Sequence, residues 1–268
     1  MKPSIRFVRL ATGVRVEYAE QGDPAGTPVV LLHGITDSWR SFETVMAQLP
    51  ASLRVTSLSQ RGHGESDRPL SYRTREFAAD AAAFIEALGL QRAIVVGHSM
   101  GSVNAMRLAI DRPDLVKGLV LAGSFATFSG NAAVVEFQRD IDVALSDPIG
   151  RTFVEDWQRS TLAHPVDPGF FDRIVDETLK LPASVWHGAF GALLEDDFAS
   201  ELHRIAAPTL LTWGEADAFA PHADQIRIRD ALKRSTLVIY EGAGHALHWE
   251  QPARFAADVV QFVRALAA

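Results

Sequence analysis

Two hydrophobic rhythms alternate along this chain. Short uninterrupted apolar runs, such as Val29-Val30-Leu31-Leu32 and Ile94-Val95-Val96, have the pattern of strands buried on both faces. Between them apolar positions recur at helical spacing, clearest in Phe77, Ala81, Phe84, Ile85 and Leu88, with Gly89 behind them as a C-cap. From the N-terminus the pattern predicts a hairpin, Ile5 to Leu10 and Val14 to Ala19, turning at Ala11-Thr12-Gly13. There follow a strand at Val29 to Leu32, a helix from Ser38 to Leu49, a strand at Arg54 to Leu58 and a helix from Glu76 to Leu88. Next come a strand at Arg92 to Val96, a helix from Ser102 to Ile110 and a strand at Lys117 to Leu121. The alternation then lapses until Pro208, leaving helical patches at Val134 to Leu145, Phe170 to Leu179 and Val185 to Leu194, broken by Pro148, Pro165, Pro168 and Pro182. It resumes with a strand at Thr209 to Trp213, a helix from His222 to Leu232, a strand at Thr236 to Tyr240 and a helix from Gln251 to Leu266. Such alternation predicts an α/β fold: a mostly parallel central sheet, helices on both faces, and a helical insertion.

Charge sets the insertion apart. Ser124 to Ser200 holds thirteen acidic residues against five basic ones, with eight of the fifteen Phe and two of the five Trp. The remainder is close to neutral. That contrast predicts a separate unit, acidic outside and aromatic inside. Over all 268 residues the net charge is −7, which argues against nucleic acid or an anionic membrane as partner. No apolar run approaches the ~18 residues of a membrane span. Met1 to Arg6 carries charge without a following apolar stretch, so no signal peptide is expected. Zero cysteines remove disulfides, thiolate metal sites and a cysteine nucleophile, and fit a cytoplasmic protein.

Chemistry enters with Ser99, inside Gly97-His98-Ser99-Met100-Gly101. A serine between a buried strand and a helix, with glycine two places to each side, has the form of a nucleophile elbow. Alone the motif is weak. It gains weight because functional residues in a parallel sheet gather beyond the carboxyl ends of strands, and three further segments sit at such ends. His33-Gly34-Ile35-Thr36 follows the Val29 run, Asp217 follows Thr209 to Trp213, and His245 follows Thr236 to Tyr240. A serine hydroxyl is a poor nucleophile without a base, an imidazole can take its proton and return it, and a carboxylate can orient the imidazole.

These segments, with Arg61-Gly62-His63-Gly64-Glu65-Ser66, Gly214-Glu215-Ala216-Asp217 and Gly242-Ala243-Gly244-His245, give a chain that resembles the α/β-hydrolase family over its whole length, in its serine-nucleophile, esterase- and lipase-like branch. The resemblance implies a triad of Ser99, Asp217 and His245. It also implies an oxyanion hole from the backbone N–H groups of Ile35 and Met100. It places residues 124–202 as a helical cap over a core of 1–123 and 203–268. The cap's aromatic residues need a surface to bury against, and the mouth of the catalytic groove offers one. Phe125, Phe128, Trp157, Trp186 and Phe190 are the candidates for the pocket wall. His33, His98 and His248 are expected as packing or hydrogen-bonding groups. No cofactor and no metal is expected, since His and Asp form no pattern such as His-Glu-x-x-His.

The expected activity is hydrolysis of small neutral acyl or aromatic esters, or lactones, through an acyl-enzyme. Serine at the nucleophile position separates the chain from epoxide hydrolases and haloalkane dehalogenases, which use aspartate. Two alternatives stand beside it. One is a C–C bond hydrolase of aromatic degradation, against which counts Gly34-Ile35-Thr36-Asp37-Ser38 where that branch tends to carry Gly-x-Gly-Pro-Gly. The other is a small-molecule sensor that docks a partner protein through its cap.

Overall fold

A computed structural model describes residues 2–128 and 132–267. Eight strands build one sheet: β1 (Ser4–Arg9), β2 (Arg15–Gly22), β3 (Thr27–Leu32), β4 (Leu53–Leu58), β5 (Ala93–His98), β6 (Val116–Ala122), β7 (Thr209–Gly214) and β8 (Ser235–Tyr240). Their order is β1-β2-β4-β3-β5-β6-β7-β8. β1 and β2 pair antiparallel, β2 meets β4 antiparallel, and every pairing from β4 to β8 is parallel. After β3 the chain steps to one side for β4 and then crosses to the other side for β5. The β3/β5 boundary is therefore the topological switch point, where the loops beyond the strand ends part and leave a crevice.

The strand sequences explain the layering. In β3, Val30 and Leu32 join the core on one face, while Val29 and Leu31 join the core on the other. β5 divides likewise, with Val95 on the first face and Ile94 and Val96 on the second. Strands sandwiched in this way have no polar face to present, which accounts for their unbroken apolar runs.

Around the sheet lie α1 (Glu43–Met46), α2 (Thr74–Ala87), α3 (Met100–Asp111), α8 (His222–Ala231), α9 (Leu247–Glu250) and α10 (Pro252–Ala265). Between β6 and β7 run α4 (Ala132–Ala144), α5 (Arg151–Ser160), α6 (Pro168–Thr178) and α7 (Ala183–Glu195). The hairpin, the remaining strands and the helices around them fall where the hydrophobic pattern puts them. Short helical turns at Ala199–Arg204 and Leu247–Glu250 lie outside that pattern, and two larger elements differ. The helix expected from Ser38 to Leu49 is a 3₁₀ turn, Trp39–Phe42, followed by the single turn of α1. A 3₁₀ turn places residues three apart on one face, and it lets Trp39 and Phe42 bury together. Ser38 caps it, its hydroxyl accepting from the Arg40 N–H. Helix α5 has no counterpart in the hydrophobic pattern, because seven of the ten residues in Arg-Thr-Phe-Val-Glu-Asp-Trp-Gln-Arg-Ser are polar. Two of its three apolar residues, Val154 and Trp157, are buried, while Phe153 stays exposed.

Candidate active site

Ser99 stands between β5 and α3 with φ 51° and ψ −120°, a backbone conformation that L-residues avoid. The turn is held by its own backbone: the Ser99 N–H donates to the Ala122 carbonyl at 3.0 Å, and the Ser99 carbonyl accepts from the Ser102 N–H at 2.8 Å. The flanking glycines are steric necessities. A Cβ on Gly97 would lie 2.3 Å from the Gly101 carbonyl oxygen, and one on Gly101 would lie 2.1 Å from that of Leu32. Met100 opens α3, so its N–H belongs to the free first turn and carries the positive end of the helix dipole.

His245 Nδ1 lies 2.8 Å from Asp217 Oδ2. The other carboxylate oxygen, Oδ1, accepts from the N–H groups of Phe219 (2.8 Å) and Ala220 (2.9 Å). Burial alone would push the Asp217 carboxyl up, but the His245 imidazole and the two backbone donors outweigh it and hold the pKa below the usual value. An ionised Asp217 keeps the Nδ1 proton on His245 and leaves Nε2 with a free lone pair. Gly123, with φ +52°, makes room for the pair: a Cβ there would come within 3.0 Å of His245 Nδ1.

The loop after β3 is braced by histidines whose tautomers follow from their partners. His33 Nε2 accepts from the Gln60 N–H at 2.9 Å, so Nδ1 holds the proton and donates to the Gly34 carbonyl at 2.7 Å. With that carbonyl tied back, the trans peptide turns the Ile35 N–H the opposite way. Ile35 lines the cavity described below. His98 Nε2 lies 3.1 Å from the His245 carbonyl oxygen and donates to it, joining the serine turn to the His245 loop. A Cβ on Gly34 would sit 2.8 Å from His98 Nδ1, which is why glycine follows His33. His63 Nε2 accepts from the Thr36 N–H at 3.2 Å, while Nδ1 donates to the Arg61 carbonyl at 2.8 Å. Arg61 itself is clamped by Asp80, with Nε 2.7 Å from Oδ2 and Nη2 2.9 Å from Oδ1.

Burial makes these imidazoles poor proton acceptors. It depresses His63 to about 4 and His98 to about 3, and takes His33 and His248 well below the usual value. They stay neutral in the fold but bind protons in the unfolded chain below pH ~6.5, so stability falls as pH drops through that value. For His63 and His98 the loss at pH 5 is about 2 kcal/mol each. Asp37 runs the other way. Burial raises its carboxyl to about 7, so it gives its proton up only in the unfolded chain as pH rises from 3.8 towards 7. Four imidazoles outweigh one carboxyl, and the urea midpoint is expected to be clearly lower at pH 5 than at pH 7. An equal or higher midpoint at pH 5 would contradict this electrostatic account.

Over Ser99 and His245 lies a cavity of about 460 Å³. Three of the five expected wall residues, Phe128, Trp157 and Phe190, line it. Phe125 and Trp186 are not among the lining residues and stand one layer behind. Phe125 stacks on Phe128 with ring centroids 3.5 Å apart, and Trp186, fully buried, packs against Trp157 at 5.7 Å and Phe190 at 6.1 Å. Both support the wall. Sequence reasoning missed Phe137, Phe153 and Leu193, which complete the helical side, and Phe219, whose ring lies 5.2 Å from that of His245. Helical spacing would have found Phe153, four residues before Trp157. No periodicity marks Phe219, which sits in the loop beyond Asp217. Among the described residues, no Lys or Arg lines the cavity, and no group of three or more His, Asp or Glu is placed to hold a metal ion. Among them too, no helix is long and apolar enough to cross a membrane.

A crevice at the switch point, a strained serine turn after β5 and a His–Asp pair beyond the ends of β8 and β7 are the architecture of a hydrolase fold. The family profile described as the alpha/beta hydrolase fold matches residues 27–252, and the chain belongs to that family. It is 30% identical over 251 residues to the AB hydrolase superfamily protein YisY of Bacillus subtilis (strain 168), covering 88% of this chain and 91% of that protein. It is 27% identical over 279 residues to the 2-hydroxymuconate semialdehyde hydrolase of Pseudomonas sp. (strain CF600), covering 97% and 94%. In fold it is similar to the enol-lactonase from Burkholderia xenovorans LB400, with a TM-score of 0.86 at 20% identity over 97% of this chain and all of that one.

Proposed function

We propose that the protein is a serine hydrolase of neutral carboxylic esters or lactones, and that residues 124–202 act as its cap over a core of 1–123 and 203–268. The observation that carries this reading is the cavity itself: a serine and a histidine on its floor, aromatic walls, and no cationic side chain among the described lining residues. Asp37 and Asp156 are the acidic groups in the lining. A substrate carboxylate would find no cationic partner among the described lining residues, so its desolvation would be poorly compensated. A neutral acyl group buries its apolar surface at no such cost.

In this reading Ser99 Oγ attacks the carbonyl carbon while His245 Nε2 takes its proton. The N–H groups of Ile35 and Met100 hold the oxyanion. Collapse of the tetrahedral adduct breaks the C–O bond, and the leaving alkoxide takes the proton from His245. Water, deprotonated by the same nitrogen, then attacks the acyl-enzyme. Collapse of that adduct breaks the acyl C–Oγ bond, releasing the acid as Ser99 Oγ takes its proton back from His245.

The 27% identical semialdehyde hydrolase supports a second reading, C–C bond hydrolysis on the same serine. The experiment compares short p-nitrophenyl esters with a vinylogous diketone acid under one set of conditions. The expected result is a kcat/KM at least about tenfold higher for the best ester, a difference of ~1.4 kcal/mol in transition-state binding. A large preference for the diketone would overturn the ester assignment.

A further inference from the structure

Thr36 is the residue after Ile35, and its φ is +69°. The left-handed region is costly for a β-branched residue, and it persists only where the surroundings over-determine it. Here three contacts do so. The Thr36 N–H is held by His63 Nε2 at 3.2 Å. Trp157 Nε1–H donates to the Thr36 hydroxyl at 2.9 Å. The Thr178 hydroxyl lies 3.1 Å from the Thr36 carbonyl oxygen and shares its one proton between that oxygen and the Ile174 carbonyl at 3.0 Å. Gln158 ties the last two together: its Nε2 lies 2.8 Å from Thr178 Oγ1 and 3.4 Å from the Thr36 hydroxyl, and 3.3 Å from Asp37 Oδ1. All of these side chains are buried. The first contact comes from the loop after β4. The other two come from α5 and α6, more than a hundred residues further along the chain.

We propose that Trp157 and Thr178 are positioning residues that hold Thr36 in its left-handed conformation and thereby aim the Ile35 N–H at the reacting oxygen. The proposal rests on the reading of Ile35 as an oxyanion donor. It gives the helical layer a second role, because the layer that walls the cavity also completes the site that stabilises the transition state. Trp157 does both with one side chain, its ring facing the cavity and its Nε1–H holding the loop. A donor in this position acts through placement, and an error of a fraction of an ångström forfeits much of its effect.

The test uses three variants of the whole protein. Trp157→Phe keeps an aromatic wall and removes the Nε1–H. Thr178→Val keeps the volume and removes the hydroxyl. Thr36→Gly makes the φ of +69° free of strain and removes the hydroxyl that Trp157 holds. On p-nitrophenyl acetate, too small to need the far wall, Trp157→Phe and Thr178→Val are expected to lower kcat about tenfold, with KM within about threefold. In the Thr36→Gly background, Trp157→Phe is expected to lower kcat by less than about twofold further, because both changes remove the same bond. A wall residue without this role would move KM and leave kcat alone, and its effect would add to that of Thr36→Gly; either outcome overturns the proposal.

Amide hydrogen exchange over residues 33–38 separates this from the ester reading, since it needs no turnover. Exchange is expected to quicken at least about tenfold in Trp157→Phe and Thr178→Val, while the β5 amides keep their protection. Unchanged exchange would overturn the clamp even if the wild-type protein proved an active esterase. Quickened exchange in a protein without Ser99-dependent ester turnover would instead place the failure in the ester reading.

Discussion

Ser99→Ala is expected to keep the fold and remove ester turnover, by about 10⁴-fold or more. The two halves of that statement have separate causes. The bonds that hold the turn, Ser99 N–H to the Ala122 carbonyl and Ser99 carbonyl from the Ser102 N–H, run through backbone alone, so alanine can make them all. Stability should stay within about 0.5 kcal/mol, read as an unchanged urea midpoint. The hydroxyl, by contrast, stands on the cavity floor at a strand-to-helix turn, beside a free helix N-terminus. Without it no acyl-enzyme forms. Initial rates on p-nitrophenyl acetate measure the loss. Activity within about tenfold of wild type would remove Ser99 from the chemistry.

Asp217→Asn is expected to cost about 10⁴-fold in kcat with KM little changed, and the reason lies in two backbone amides. Oδ1 of Asp217 faces the N–H groups of Phe219 and Ala220. An asparagine must put its carbonyl oxygen there, because its NH₂ would meet two donors. The NH₂ then occupies the place of Oδ2 and points at His245 Nδ1, 2.8 Å away. His245 can accept that bond only by moving its proton to Nε2, the nitrogen that takes the proton from Ser99 in the proposed reaction. The variant thus holds a well-ordered imidazole in the wrong tautomer. The discriminating measurement is rate against pH: activity should recover at high pH, where Nε2 loses its proton more readily. A loss below about tenfold would show that Asp217 does not set the tautomer.

Much of this molecule is legible in its sequence. Strands buried on two faces write themselves as apolar runs, and a parallel sheet sends its chemistry to the strand ends, so Ser99, Asp217 and His245 stand out there as candidates, which the family resemblance then groups into a triad. What stays hidden has a common physical cause: it depends on contacts between residues far apart in the chain. Gln158 is an ordinary polar residue on a polar helix until Thr36, Asp37 and Thr178 come within reach of its amide. Phe125 and Phe128 are three residues apart in an irregular stretch, where no period tells which ring faces the cavity and which lies behind it. The helix expected at Ser38 gives way for a similar reason. Ser41, which an amphipathic helix would leave unremarked, binds Asp37 and His248 through its hydroxyl and helps draw the segment into a tighter coil.

The helices between β6 and β7 leave and rejoin the sheet at neighbouring strands, Leu119 pairing with Thr209 and Ala122 with Thr212. Just beyond, Thr127 and Asp197 form an isolated bridge that draws the two ends of the excursion together. An excursion with such a narrow neck adds little closure entropy however long it grows, and no strand changes register when its contents change. The helical side of the cavity can accordingly be exchanged as one cassette while Ser99 stays where it is. If the Thr36 clamp acts as proposed, any replacement cassette must arrive with donors for both the Thr36 hydroxyl and the Thr36 carbonyl.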